Sequence, residues 1–498
     1  MPYPVYKLYR RRFYVLFIFS FLSFNQCLFW ITFSPISNKA EKYYNINEST
    51  IEFFLAWGPI LFIPCLPLSY LLLNRHNGLR YCVILLSIIP LIATIIRIIP
   101  SIIISKENPK FGLISLPFLH IGQILNAICG PLAMAPVSQL SCLWFDTNER
   151  TRATTVAIMS YNLGSTTGFI LGPNVVYKPE NIPYLLYIHC GLAFIACIIA
   201  LIYFPIQPPT PPSPAAELLI YRPINEERIN SLRSYIKSIK DCFRRRSFIL
   251  LVISGGLIGG TYAAWTSLFD IILTPEGYTE KESGWIGFSS SIAEIIGGLC
   301  LSAIADRPRF HRSFKILILI CFICYFISVS WFNLSIHTLF IDKSIIPSTA
   351  ITLGISVTLA GLFQGGAQPL TYEALAEIMY PLPESLSASI LVLFINIISL
   401  TLFFIARKQS KLMNFIILII LVICITLVLL TKFHYNRRDA DTTRRSTLIP
   451  DDVDPLYNTN QIDSIENMPQ INPISDSISM TPIIDTFNTN AILDVSNA

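Results

Sequence analysis

Charge is scarce in this sequence: Asp, Glu, Lys and Arg make up 13% of its 498 residues, about half the share usual in soluble domains. Hydrophobic residues fill 53% of the chain, and the mean hydropathy is +0.57. So little charge cannot cover a water-facing surface, and the chain reads as a polytopic membrane protein. Histidine is scarce too, at six residues. No set of His, Cys, Asp and Glu has metal-ligand spacing and no nucleophile lies beside a base, so neither a metal centre nor an enzyme active site is expected. The one Cys-x-x-Cys pair, Cys321 and Cys324, lies inside an apolar run without a histidine nearby. Cysteine here is core filler rather than redox chemistry. No cofactor is expected: the pairs Gly255-Gly256 and Gly259-Gly260 sit in an apolar run with no strand before them. That setting suits close helix packing and not a phosphate-cradling loop. The net charge of +5 carries no nucleic-acid signal, because the basic residues gather at the ends of apolar runs and set orientation there.

What the chain has in abundance is long apolar runs. They recur at residues 13–33, 51–73, 79–104, 112–143, 153–176 and 182–204, and, after a polar gap, at 248–273, 284–305, 314–334, 345–374, 386–405 and 412–430. A run of about 20 such residues crosses a hydrocarbon core of about 30 Å as a helix. The expected fold is all-α, with about twelve transmembrane helices in two six-helix bundles. The first run follows Arg10-Arg11-Arg12, is too long for a signal peptide and has no small-residue cleavage pattern after it, so it reads as a retained anchor. Arg75, Arg80, Arg150, Arg152, Arg244 to Arg246, Arg307 and Arg437-Arg438 share the side of those first arginines, which predicts that both termini are cytosolic. The division that follows is a cytosolic N-terminus (1–12), a first bundle (13–204), a Pro-rich and basic linker (205–247), a second bundle (248–432) and a disordered cytosolic tail (433–498). Asn47-Glu48-Ser49 lies in the first outer loop, making Asn47 a candidate glycosylation acceptor.

The two sets of runs show a weak internal repeat. Asn74-Arg75 and Asp306-Arg307 follow the second and eighth runs, 232 residues apart, and Glu149 and Glu384 follow the fourth and tenth, 235 apart. Self-similarity of this kind is the mark of transporters built from two halves around a midplane site. Carried onto the first helix, the offset of 232 pairs Trp30 with Tyr262, and Trp265 lies one turn further on the same face. Such aromatics can hold a ring by stacking or a cation over their faces. Trp30 also fits an interfacial anchor, since it lies near the outer end of its span. Asn25 and Gln26 in the first helix and Gln123 in the fourth add polar groups to the expected solute-binding set.

Charges inside apolar runs are expensive and need a function or a partner. Glu294 sits in mid-helix and Asp270 near the end of the seventh run. Both are candidates for proton coupling, with a protonated, purely structural Glu294 as the equal alternative. Glu373 and Glu377 share a helical face at the cytosolic end of the tenth run. Together with Asp306, Arg307, Glu149 and Glu384 they are expected to form gate contacts. Each of these residues taken alone is equally well an ordinary solvated end charge.

The segments Trp30-Ile31-Thr32-Phe33-Ser34-Pro35-Ile36-Ser37-Asn38, Trp57-Gly58-Pro59, Trp144-Phe145 to Glu149, Gly284-Trp285-Ile286-Gly287-Phe288 and Tyr372-Glu373 to Glu377, with Tyr380-Pro381 and Glu384, resemble solute carrier family 49. That family comprises the feline leukaemia virus subgroup C receptor-related transporters of the major facilitator superfamily. The resemblance spans residues 6–432. It implies the major facilitator fold, a small-molecule substrate, no enzyme activity and a ligand-facing Trp30. Leu273-Thr274-Pro275 and Tyr203-Phe204-Pro205 are most like a branch implied to export pyridoxine, a vitamin B6 form, from lysosomes with protons. Sister branches imply choline, ethanolamine or haem, and their ligand tyrosine falls closer to Ala263 than to Tyr262. Outside transport, the alternative is a transport-dead receptor or scaffold whose tail is the working part. Plasma membrane is the alternative location, and the sequence gives no oligomeric state.

Overall fold

Pro35 decides how the first membrane helix ends. Helix α1 (Arg11–Trp30) stops at Ile31, and the chain continues through a 3₁₀ turn, Ser34–Ile36, into α2 (Ser37–Tyr44). A proline ring clashes with the carbonyl four residues earlier and has no N–H to donate. For Pro35 that carbonyl is the one on Ile31, where the helix stops. The span expected at 13–33 is therefore a helix with a broken outer end.

The structure is a computed structural model and describes residues 6–75, 77–220, 232–266, 269–273, 276–337, 345–408 and 410–448. After α2 come α3 (Glu48–Leu73), α4 (Gly78–Ile103), α5 (Phe111–Ile128), α6 (Gly130–Met134), α7 (Val137–Trp144), α8 (Arg150–Val175) and α9 (Ile182–Ile202). The linker carries α10 (Pro214–Ile220) and α11 (Leu232–Arg244). The second half holds α12 (Arg246–Thr266), α13 (Phe269–Leu273), α14 (Glu280–Ala305), α15 (Phe314–Leu334), α16 (Ala350–Met379), α17 (Glu384–Lys408) and α18 (Ser410–Leu430), and α19 (Asn436–Leu448) follows. Among the described residues, ten helices are long and apolar enough to cross a membrane. Helix α8 and the shorter apolar stretch Asn414–Leu430 complete twelve. Helix α8 is less apolar than the others, and its Thr151, Thr154, Thr155 and Thr166 are buried against protein.

Helices α1, α3, α4, α5, α8 and α9 pack into one bundle, and α12, α14 to α18 into the other. The halves meet where α8 packs on α14 and α17 on α3. The internal repeat maps α3 onto α14 and α8 onto α17, so these two contacts are images of each other. Outward faces are apolar: Ile316, Ile320, Ile323 and Ile327 form an exposed stripe on α15, while Ile318, Phe322, Tyr325 and Val329 are buried on its other side. Such a stripe suits lipid tails and would aggregate in water.

The structure differs from the expected division at the start of the tail. Residues 436–448 are helical, not disordered, and pack on α16 and α10. Their polarity reads as solvation in sequence because their charged partners lie far away along the chain. Residues 449–498, expected to be disordered, lie outside the described residues.

Helices α14 and α16 approach most closely through glycine. A Cβ at Gly361 would run into the Ser290 carbonyl, and one at Gly365 into the Glu294 carbonyl. Small residues four apart let membrane helices touch backbone to backbone. Gly365→Val is expected to cost about 1–3 kcal/mol by overpacking. Gly191, with nothing within 4 Å of a built Cβ, is the control. Thermal melting of detergent-purified protein should fall for Gly365→Val and stay unchanged for Gly191→Val.

Candidate functional site

Three layers of polar side chains stack through the molecule. The middle layer joins the halves. Asn162 on α8 donates through Nδ2 to Glu294 Oε1 on α14 at 2.8 Å and to Gln368 Oε1 on α16 at 3.5 Å. Nearby, Tyr262 Oη and Ser290 Oγ are hydrogen-bonded at 2.8 Å, and Ser290 donates to the Val357 carbonyl at 3.1 Å. Glu294 is thus a membrane-embedded carboxylate that accepts a hydrogen bond from the opposite bundle. A narrow crevice lined by Gly255, Gly259, Gln364, Gln368 and Thr371 runs beside this layer.

The second layer lies at the end of the molecule where α1 begins and α19 packs. Asp306, just past α14, accepts from the Thr151 amide at 3.1 Å, the Arg152 amide at 2.8 Å and Arg152 Nε at 3.2 Å. A carboxylate at the start of α8 meets free amide N–H groups and the positive end of the helix dipole. Burial pushes the Asp306 carboxyl above its ordinary range, and those hydrogen bonds pull it back. Beside it, fully buried Arg437 reaches Glu373 at 2.5 Å, Glu384 at 2.8 Å and Glu377 at 3.1 Å. Glu373 also accepts from Thr154 Oγ1 of the opposite bundle at 2.6 Å. Arg438 donates to Glu377 and lies over the Phe314 ring at 4.7 Å. One helical turn on from Arg437, Asp441 accepts from the Ala215 amide at 2.7 Å and faces Arg150 at 3.6 Å. Helix α19 therefore touches both halves.

The third layer surrounds the break in α1. Trp30 is half-buried, donates from its indole to the Leu55 carbonyl at 3.1 Å and lies against Gly58, where a Cβ would come within 2.7 Å of the indole nitrogen. Gln123 donates to the Trp30 carbonyl at 2.8 Å and accepts from Arg97 at 2.6 Å.

Set against expectation, the structure brings together Glu373, Glu377, Glu384 and Asp306 at one face. Glu149 pairs with Arg12 at 2.9 Å inside its own half, and Arg307 is exposed. Tyr262 is buried in the second half, in line with Glu294. Trp265 is fully buried against the Phe269 and Phe332 rings at 4.8 and 5.1 Å and does not line a path. Trp30 and Trp265 are each the twentieth residue of their helix, so the helix frame pairs Trp30 with Trp265 rather than with Tyr262. Asn25 donates to the Leu192 carbonyl at 3.4 Å, and Gln26 and Asn126 exchange side-chain-to-backbone bonds at 3.1 Å each. These groups, with Gln123, tie helices of the first half to one another. Asn47 is exposed in front of α3, and the Asp270 side chain lies outside the described residues. Sequence reasoning missed Asn162, Arg437 as an ion-pair centre and Asp441. Among the described residues no group of ligands suits a metal ion.

Comparison with known proteins agrees with this architecture. Residues 15–406 match the model of the Major Facilitator Superfamily. The chain is 31% identical to the solute carrier family 49 member 4 homolog of Xenopus tropicalis over 424 residues, covering 82% of this chain and 87% of that one. It is 28% identical over 404 residues to the choline/ethanolamine transporter FLVCR1 of Felis catus, covering 78% and 66%. Among solved structures, a double-tryptophan XylE mutant aligns at TM-score 0.62 and 13% identity, covering 88% of this chain and all of that one. The E. coli fucose:proton symporter FucP aligns at 0.55 and 10%, covering 85% and 100%. At these identities the structures speak for the fold alone.

Removing Arg437 leaves buried Glu373 and Glu384 without their cation, while Arg438 still donates to Glu377. Breaking such a cluster costs about 3–5 kcal/mol. Arg437→Ala should therefore lower the melting temperature of the purified protein sharply, and Arg437→Lys should restore it only in part, because one ammonium cannot span three carboxylates as a guanidinium fork does.

Proposed function

The chain belongs to the Major Facilitator Superfamily and, within it, to solute carrier family 49, and from that premise we propose that it exports pyridoxine from lysosomes together with protons. That it is a membrane transporter follows from the family; the solute, the coupling and the location are the proposal. The observation that carries it is the bond between Asn162 and Glu294, a carboxylate held at the join of the two bundles. A charged acceptor makes a hydrogen bond roughly twice as strong as a neutral one. Protonating Glu294 weakens its link to Asn162 and so favours separation of α8 from α14 at that level. One proton taken up on the acidic side thereby biases the halves toward the other conformation.

At the terminal face, Asp306, Glu373 and Asp441 act as the gate contacts that must break when the transporter opens there. The arginine bias supports the cytosolic side for this face. Trp30 offers a half-exposed indole to a ring-shaped solute. The same indole suits an organic ammonium ion, which keeps choline or ethanolamine as the second reading, supported by the relatedness to FLVCR1.

Cells carrying the protein redirected to the surface should take up radiolabelled pyridoxine at acidic outside pH, and unlabelled choline should not compete. Absence of uptake above control sinks the pyridoxine assignment, and competition by choline replaces it. Glu294→Gln should transport at a rate that no longer follows outside pH. Trp30→Ala should lower uptake about tenfold, the equivalent of one aromatic contact of about 1.4 kcal/mol, at unchanged surface abundance.

A further inference from the structure

Arg97 is the costliest group in the first bundle. It lies in α4, it is 1% exposed, and among the described residues no carboxylate pairs with it. A buried charge with only neutral partners is retained in a membrane helix for a reason. Its partners identify one. Nη1 donates to the Phe29 carbonyl at 3.0 Å and to Thr32 Oγ1 at 3.3 Å, and Nη2 donates to Gln123 Oε1 at 2.6 Å and to the Gly122 carbonyl at 3.3 Å. Phe29 and Trp30 are the last residues of α1, whose carbonyls lose their helical donors once Pro35 stops the helix. The Phe29 carbonyl is met by Arg97 together with the Thr32 hydroxyl at 2.7 Å, and the Trp30 carbonyl by Gln123. Gly122 makes room for this arrangement, since a Cβ there would come within 2.5 Å of Arg97 Cγ.

We propose that Arg97 is a positioning residue for the solute site: with Gln123 it holds the broken end of α1 and so fixes the Trp30 indole against Gly58. The proposal deepens the reading of Trp30 as a solute contact and rests on it for its effect on transport. It reassigns Gln123, whose amide is committed at both ends, from ligand group to clamp. The guanidinium is needed for its fork, because a lysine ammonium in the same place cannot serve the Phe29 carbonyl and Gln123 together with fixed geometry.

Two measurements test it. Hydroxyl-radical footprinting of the purified protein reads the indole directly and does not depend on the solute. Arg97→Met should raise Trp30 oxidation several-fold while buried Trp144 stays at its wild-type rate, and Arg97→Lys should lie between. Unchanged Trp30 oxidation overturns the clamp. Should Arg97→Met fail to fold, Gln123→Leu, which keeps the charge and removes the bond to Trp30, carries the same comparison. In uptake of radiolabelled pyridoxine, Arg97→Met and Trp30→Ala should each raise KM with little change in maximal rate. The double variant should be no worse than Trp30→Ala alone, since Arg97 acts through Trp30. Additive losses overturn the proposal. Wild-type protein that takes up no pyridoxine removes the solute assignment alone, and the footprint then decides the clamp.

Discussion

Asp306 holding the first amides of α8 is the contact on which the closed terminal face depends. Apolar packing cannot by itself hold two bundles together inside a bilayer, because lipid tails solvate leucine and isoleucine as well as another helix does. Polar groups at the seam must supply the preference for one arrangement. Here they come as an ordered set: Asn162 on Glu294 in the middle, Thr154 on Glu373 nearer the terminal face, and Asp306 on the α8 N-terminus beyond it. All three use α8 on one side and α14 or α16 on the other. On the α8 side the seam is therefore one line of contacts that can open in sequence.

Helix α19 extends that line outside the membrane segments. Glu373, Glu377 and Glu384 gather on the second half, where mutual repulsion would drive them apart or protonate them. Arg437 bridges the three carboxylates, Arg438 adds a second cation at Glu377, and Asp441, on the same helix, takes the charge pattern back to Arg150 of the first half. The residues after the last membrane helix thus belong to the working machine up to Leu448.

The membrane class, the two-bundle architecture and the face on which Asp306, Glu373, Glu377 and Glu384 meet were legible in sequence. Runs of about 20 apolar residues and charges at fixed offsets are local signals, and the physics behind them is local too. What stayed hidden depends on contacts between distant segments. Arg437 reads as one more basic residue after a membrane helix, and nothing near it in sequence announces three carboxylates. Asn162 reads as an ordinary polar residue, although the low hydropathy of α8 does mark a helix that faces protein on many sides. Trp265 shows the opposite error: an aromatic at the right helical spacing was read toward the path, and the ring cluster with Phe269 and Phe332 buries it. Helix spacing tells which residues share a face, not what that face meets.

The central claim is that the two halves separate at the terminal face when the seam from Asp306 to Glu294 is released. Spin labels on exposed Asn148 and Arg309, one on each half at that face, allow the separation to be read as a distance distribution by pulsed electron resonance. The account predicts one short distance in the wild type and a second, longer population in the combined Asp306→Asn and Glu294→Gln variant. A single unchanged distance in that variant would contradict it.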